Sequence, residues 1–225
     1  MKYLRKFETE AELSAWQGSL EYAKPNVVLA DGVIRYNLPK LGAFIQHIDG
    51  TLYDEEGWTN GGFSNDEANG IAVITTKASF VIAKTNLGEI EWISDVYTSV
   101  GGMLTADKAT ALADFAGYDN TQSFLASGLS GACYSCANYT FPNGNKGYLP
   151  ALGELSEARN EKSKIDSLMT KIGGTELKSK DYWSSTQYSQ YNAWICKFGY
   201  SGSSVAANVA KNYDYYVRPF APLSI

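Results

Sequence analysis

Apolar residues recur at helical spacing in a few places along this chain and at strand spacing in more. Thr9 and Glu12 form a capping box ahead of Leu13, Trp16 and Leu20, which share one face. Residues 9 to 20 therefore read as a short amphipathic helix, closed by Pro25. NVVLADGVIRYN (26–37) reads as a hairpin turning at Asp31-Gly32. GTLYDEEGWTNGGFSNDEANG (50–70) is crowded with Gly, Asn and Asp and predicts loop or short strand. In GIAVITTKASFVIAKT (70–85), Ile71, Val73, Phe80 and Ile82 alternate with small or polar neighbours, as two paired strands require, and Glu91-Trp92-Ile93 adds a short third. LTADKATALADFAG (104–117) predicts a helix capped by Thr105 and ended by Gly117, and NTQSFLAS (120–127) another capped by Asn120. The strongest helical pattern spans 149–174. There Leu152, Leu155, Ile165, Leu168, Met169 and Ile172 share a side, and Gly173-Gly174 stops it. Short strands follow in NAWICKF, SSVAANV and YYVRPF.

The expected class is α+β. Residues 1–40 form a small helix-plus-hairpin unit that cannot bury much core alone. They are the expected attachment or oligomerisation segment, with a trimer the expected form, and residues 41–225 form the main domain. At 225 residues the chain can bury a real core. Its net charge of -5, with no lysine or arginine cluster, points away from nucleic acid. No run of about 18 apolar residues predicts a membrane span, and the N-terminus has no apolar stretch of the signal-peptide kind.

The chemistry-bearing residues are sparse. Cys133-Tyr-Ser-Cys136 is a lone CxxC; with Cys196 and a single distant histidine, His47, it reads as ordinary thiols in preference to a zinc or redox site. No phosphate-binding loop, dinucleotide motif, zinc-protease motif or nucleophile elbow occurs. The expectation is no catalytic residue, no metal and no cofactor: a binding protein, not an enzyme.

The C-terminal end suggests what binds. Seven of the sixteen tyrosines fall between Tyr182 and Tyr216, among serines, glycines and asparagines. Tyrosine offers large amphipathic contact area with few rotatable bonds, and Ser, Gly and Asn offer adaptable hydrogen bonding. The candidate ligand-binding positions are Tyr188, Ser189, Tyr191, Asn192, Ile195, Gly199, Tyr200, Ser201, Ser203, Ser204, Ala206, Ala207, Asn208, Asn212, Tyr213, Asp214 and Tyr215. Each is encodable by a codon reached from an asparagine codon by changing adenines alone. Gln187, Gln190, Lys197 and Lys211 are not, and read as framework.

GYLPALGEL (147–155), YWSST (182–186), NAW (192–194), the terminal VRPF (217–220) and GYDNTQSFLAS (117–127) together resemble the variable proteins of diversity-generating retroelements. They are similar also to the C-terminal domain of the Legionella collagen-like adhesin. The resemblance covers about residues 70 to 222. It implies a C-type lectin-like fold whose variable region, about 182–220, is rewritten from an adenine-mutated template. Trp183, Trp194, Arg218 and Pro219 would be scaffold. It implies a receptor-binding role, on a phage tail or from a prophage in preference to a bacterial surface, toward a protein or glycan on a cell. Calcium-dependent sugar binding is not expected, because the lectin calcium signatures are absent. The alternative is a structural virion or surface-assembly component with a fixed site. A third reading, an enzyme of the formylglycine-generating kind, needs a reactive cysteine pair where only Cys196 stands.

Overall fold

The computed structural model describes residues 26–30, 33–37, 41–199 and 205–223. The helix expected at 9–20 lies outside them. The chain divides into two compact units, Met1–Leu41 with Ile225, and Gly42–Ser224. In the first, β1 (Asn26–Ala30) pairs antiparallel with β2 (Val33–Asn37), as the hairpin reading expects; its turn, Asp31-Gly32, lies outside the described residues.

The second unit is α+β, with two five-stranded sheets, and its architecture is compatible with a C-type lectin-like fold. It opens with β3 (Gly42–His47), β4 (Leu52–Tyr53) and α1 (Glu55–Gly61). Strands β5 (Ala68–Ile74), β6 (Ser79–Ile82) and β7 (Gly88–Glu91) follow. Four helices come next, α2 (Lys108–Leu112), α3 (Gly117–Leu125), α4 (Ala132–Asn138) and α5 (Leu152–Asn160), and then α6 (Lys162–Lys171). The chain finishes with β8 (Asp181–Gln187), β9 (Asn192–Lys197), β10 (Ala206–Ala210), β11 (Asp214–Val217) and β12 (Phe220–Pro222). One sheet has the order β12-β6-β5-β3-β4 and the other β10-β9-β8-β11-β7.

Helices cover the second sheet on both faces. Tyr182, Trp194 and Cys196 face the main core, where α5 and α6 bring Leu152, Leu155, Ile165 and Leu168 against Ile71, Phe80 and Phe220 of the first sheet. Trp183, Ala193, Ile195 and Val217 face the other way, onto a second core with Trp92, Phe124, Cys133 and Leu149. Side chains alternate along each strand, so adjacent residues feed opposite cores.

Several local expectations are corrected. Residues 55–61 form a helix within the segment read as loop. Asp54 accepts from the Gly57 amide at 2.8 Å, Glu55 and Glu56 fill the first turn, and Trp58 is buried. Asp107, not Thr105, caps α2, by accepting from the Thr110 amide. Gly117 opens α3 and does not end α2. Any Cβ there would stand 2.2 Å from Glu154 Oε2, so only glycine lets the α3 start meet α5. Asn120 caps nothing; it lies inside α3, buried, with its side chain spent on tertiary contacts. The long helix breaks at Glu161 into α5, which packs on β8 and β9, and α6, which packs on β3 and β5. The third strand ends at Glu91, just before Trp92.

Candidate ligand-binding face

Asn120, Thr121, Tyr148, Glu154 and Thr186 of the motifs are buried. Glu154 Oε2 accepts from the Ala151 amide at 2.7 Å and Oε1 from the Tyr148 hydroxyl at 2.7 Å. Thr186 Oγ1 accepts from the Leu152 amide at 3.0 Å and donates to Asp114 Oδ2 at 2.8 Å, which also takes the Asn120 amide at 2.9 Å. Thr121 Oγ1 accepts from the Leu149 amide at 3.0 Å. One network thus joins GYDNT, GYLPALGEL and YWSST around the start of α5, satisfying amides a helix leaves open. Burial pushes the Glu154 carboxyl up to about 8. These buried groups are scaffold.

Lys211 links that frame to the surface. It is 1% exposed. Its Nζ donates to Gln187 Oε1 at 2.7 Å and to the Gln190 carbonyl at 2.9 Å, and lies 4.3 Å from the centre of the Trp92 ring. Its amide donates to the Tyr191 carbonyl at 2.9 Å, and its carbonyl accepts from the Trp92 amide at 2.9 Å. Burial lowers the ammonium's pKa to about 8. The framework reading of Gln187 and Lys211 therefore has a physical basis: both are buried, and they hold the loop after β8 against the turn before β11.

Around this staple stand exposed tyrosines. Tyr191 is 53% exposed, Tyr213 60% and Tyr97 79%. Tyr97, missed by the sequence reading, belongs to this neighbourhood because Gln190 Nε2 donates to its carbonyl at 3.2 Å. The signal available was an aromatic in a loop of polar and small residues, which by itself predicts nothing. Along the same stretch a cleft of about 470 Å³ is lined by Glu89, Asp181, Gly199, Asp214, Tyr215 and Tyr216, with Ser179 and Lys180. Burial raises the Asp181 carboxyl and the Tyr215 hydroxyl, the latter also through the Asp181 charge.

The candidate positions separate by burial. Tyr191, Gly199, Asn212, Tyr213 and Asp214 are exposed. Tyr188, Ser189, Asn192, Ala207, Asn208 and Tyr215 are half-buried. Tyr188 packs edge-on against Trp194, centroids 5.3 Å apart, and Tyr215 against Trp183 at 5.0 Å. Asn192 Nδ2 donates to Asn208 Oδ1 at 3.0 Å across β9 and β10. Ile195 and Ala206 are corrected: at 1% and 5% exposed they are core. The reason is that β9 is an interior strand covered on both faces, and Ala206 lies opposite Cys196 on the main-core side. Tyr200, Ser201, Ser203 and Ser204 lie outside the described residues.

Trp183, Trp194 and Arg218, expected as scaffold, are buried. Arg218 donates to Thr175 Oγ1 at 2.8 Å and to the Thr175 carbonyl at 2.6 Å. The three cysteines are free and buried, with Cys133 and Cys196 pushed up to about 12 by burial. His47 packs among Tyr53, Trp58 and Phe63, centroids 5.0–6.4 Å away. Among the described residues no group of three or more His, Cys, Asp or Glu is placed to hold a metal, and no helix is long and apolar enough to cross a membrane.

No protein-family model matches this sequence, and no curated protein matches it. Among solved structures, a fimbrial protein from Bacteroides ovatus is similar, with a TM-score of 0.56 at 16% identity. The likeness covers 80% of this chain and 48% of that one, so the chain spans about half the length of the fimbrial protein. At that identity the two share a fold.

Proposed function

We propose that this chain is the ligand-binding module of a surface appendage, and that its C-terminal tyrosine-bearing face meets a protein or glycan on another cell. The observation that carries this is the division around Lys211. The framework side chains Gln187, Lys211, Trp183 and Trp194 are buried, while Tyr191, Asn212, Tyr213 and Asp214 stand in solvent on the same segments. A face of this kind tolerates wide substitution, because exposed changes away from special features cost about 0.5 kcal/mol or less. That tolerance is what retroelement diversification needs, and we propose it as the source of the Tyr, Ser and Asn composition. The fimbrial neighbour supports an appendage over a phage tail as the place of display. Catalysis has no role in this reading.

Sequencing the DNA that flanks the gene tests the diversification. The expected result is a near-copy of the segment encoding 182–220, differing only at adenines, beside a reverse-transcriptase gene. The binding role is tested separately, by comparing fluorescently labelled chain with its Tyr191→Ala/Tyr213→Ala variant on panels of bacterial and host cells. Equal staining by both would sink the assignment of the face. The fimbrial neighbour also favours a second reading, a fixed component of an appendage. That reading moves first if the flanking DNA holds no such copy.

A further inference from the structure

Each five-stranded sheet has two edges, and three of the four are protected against pairing. β7 carries exposed Glu89 and Glu91. β4 is two residues long. β12 ends in Pro222, and its Phe220 already exchanges two hydrogen bonds with Tyr148, at 2.8 and 3.0 Å. Charge, shortness, proline and cover are the means by which proteins blunt sheet edges.

Among the described residues, β10 has no charge and no proline, is five residues long, and is covered only at its last carbonyl. Among the described residues it stands at the end of its sheet and pairs only with β9. Its five residues, Ala206 to Ala210, carry no charge and no proline, and the register runs without a bulge from Ala206 opposite Cys196 to Ala210 opposite Asn192. The Lys197 amide donates to the Val205 carbonyl and the Lys211 amide to the Tyr191 carbonyl. Those bonds set the parity. Residues 205, 207, 209 and 211 bond to β9, and the backbone groups of Ala206, Asn208 and Ala210 point outward. Of these, the Ala210 carbonyl accepts from the Tyr213 amide at 3.2 Å.

We infer that β10 is a self-pairing edge, on which a second copy of this chain docks its own β10 antiparallel about a two-fold axis through Asn208. The run Ala-Ala-Asn-Val-Ala reads almost alike in both directions. Two-fold pairing sets Asn208 against Asn208 of the second copy, Ala206 against Ala210 and Ala207 against Val209. Nothing larger than valine or asparagine meets across the seam. The two Asn208 residues exchange both their amide-to-carbonyl bonds, and on each side the Ala206 carbonyl takes the Ala210 amide, the Ala210 carbonyl being held by Tyr213. The interface is isologous, so it closes at two copies and uses up both exposed edges. Five residues bury less than the roughly 800 Å² per partner of a stable complex. Pairing is therefore weak in free solution and gains from any tethering that holds two copies together.

The test is sedimentation equilibrium of the full chain from low micromolar to near-millimolar concentration. Hydrogen exchange at the Asn208 amide is followed over the same series. The expected result is a reversible dimer, with Asn208 exchange slowing as concentration rises. Asn208→Lys sets two ammonium groups face to face, and Asn208→Pro removes the central outward donor without touching a bond to β9. Each should weaken association at least tenfold. Asn208→Ala, which also loses the Asn192 contact, should still dimerise, and unchanged far-ultraviolet dichroism in all three variants confirms their fold. A monomer at every concentration overturns the proposal, as does a dimer that Asn208→Lys and Asn208→Pro leave intact. These outcomes do not depend on whether the tyrosine face binds cells.

Discussion

The ammonium of Lys211 donates to Gln187 Oε1 across 2.7 Å with no carboxylate of the described residues paired to it, in a place where the lysine is 1% exposed. A buried cation held by an amide oxygen, a carbonyl and a tryptophan ring costs solvation and returns geometry. It fixes where the loop carrying Tyr191 meets the turn carrying Tyr213. Lys211→Met keeps the apolar stem and removes the donors, leaving Gln187 Oε1 and the Gln190 carbonyl unpaired. The expected cost is about 1–3 kcal/mol, or roughly 2–4 °C of Tm per kcal/mol in a chain of this size. The sign of the pH effect follows from a lowered pKa. Between about 8, the folded value, and 10.5, the ordinary one, the unfolded chain holds a proton that the folded chain has shed. Wild type therefore gains stability relative to Lys211→Met as pH rises through that window. Urea unfolding of both proteins at pH 7 and pH 10 reads the difference.

Tyrosines of the binding face separate into anchors and supports. Tyr191 and Tyr213 are more than half exposed, and alanine at either should move stability by about 0.5 kcal/mol or less. Tyr188 and Tyr215 pack on Trp194 and Trp183, so alanine at either removes an aromatic pair worth roughly 0.5–1.5 kcal/mol besides its buried area. Thermal melts of the four variants should rank in two groups. A uniform ranking would mean that all four tyrosines are core, or that none is.

How much of this was legible in the sequence depends on whether the deciding interaction is local. The strand pairs of 70–85 and the hairpin of 26–37 are visible because alternation and turn residues are local properties. The helix at 55–61 hides because Gly57, Asn60 and Gly61 argue against it, and burial of Trp58 and the Asp54 cap outweigh them. Asn120 looks like a cap because asparagine commonly is one, yet its partner Asp114 comes from the loop before α3 and its neighbour Ser185 from a distant strand. Ile195 fails as a surface position for a related reason. Period-two alternation shows which residues share a face, and cannot show that both faces of β9 are covered.

The cysteines give a direct test of the enzyme alternative. All three are buried and free, and burial pushes Cys133 and Cys196 up to about 12. Since the thiolate is the reactive form, native protein at pH 8 should take up no iodoacetamide over hours, and three equivalents after unfolding, as read by intact mass. Rapid native labelling at Cys196 would restore a reactive-cysteine mechanism to consideration.

Glu154 sets the last expectation. It lies 5% exposed at the start of α5, where it takes bonds from the Ala151 amide and the Tyr148 hydroxyl. Burial outweighs those bonds and raises its pKa from 4.5 to about 8. An acid whose folded pKa is raised favours folding fully below its unfolded value. Between about pH 4.5 and 8 the folded chain holds a proton that the unfolded chain has lost, so stability falls as pH rises across that window. Glu154→Gln removes the titration while keeping a carbonyl to accept from one partner. Its amide nitrogen donates to the Tyr148 oxygen as the protonated oxygen of the neutral acid does, so at pH 5 Glu154→Gln should match wild type to within about 1 kcal/mol. Toward pH 8 wild type should lose stability relative to Glu154→Gln, which has no such titration. Glu154→Ala should be worse than Glu154→Gln at every pH, because both partners lose their bond. Denaturant unfolding of the three proteins at pH 5, 6.5 and 8 measures this. A difference that stays constant, or moves in favour of wild type as pH rises, would show that Glu154 is ionised in the folded chain and that its hydrogen bonds outweigh its burial.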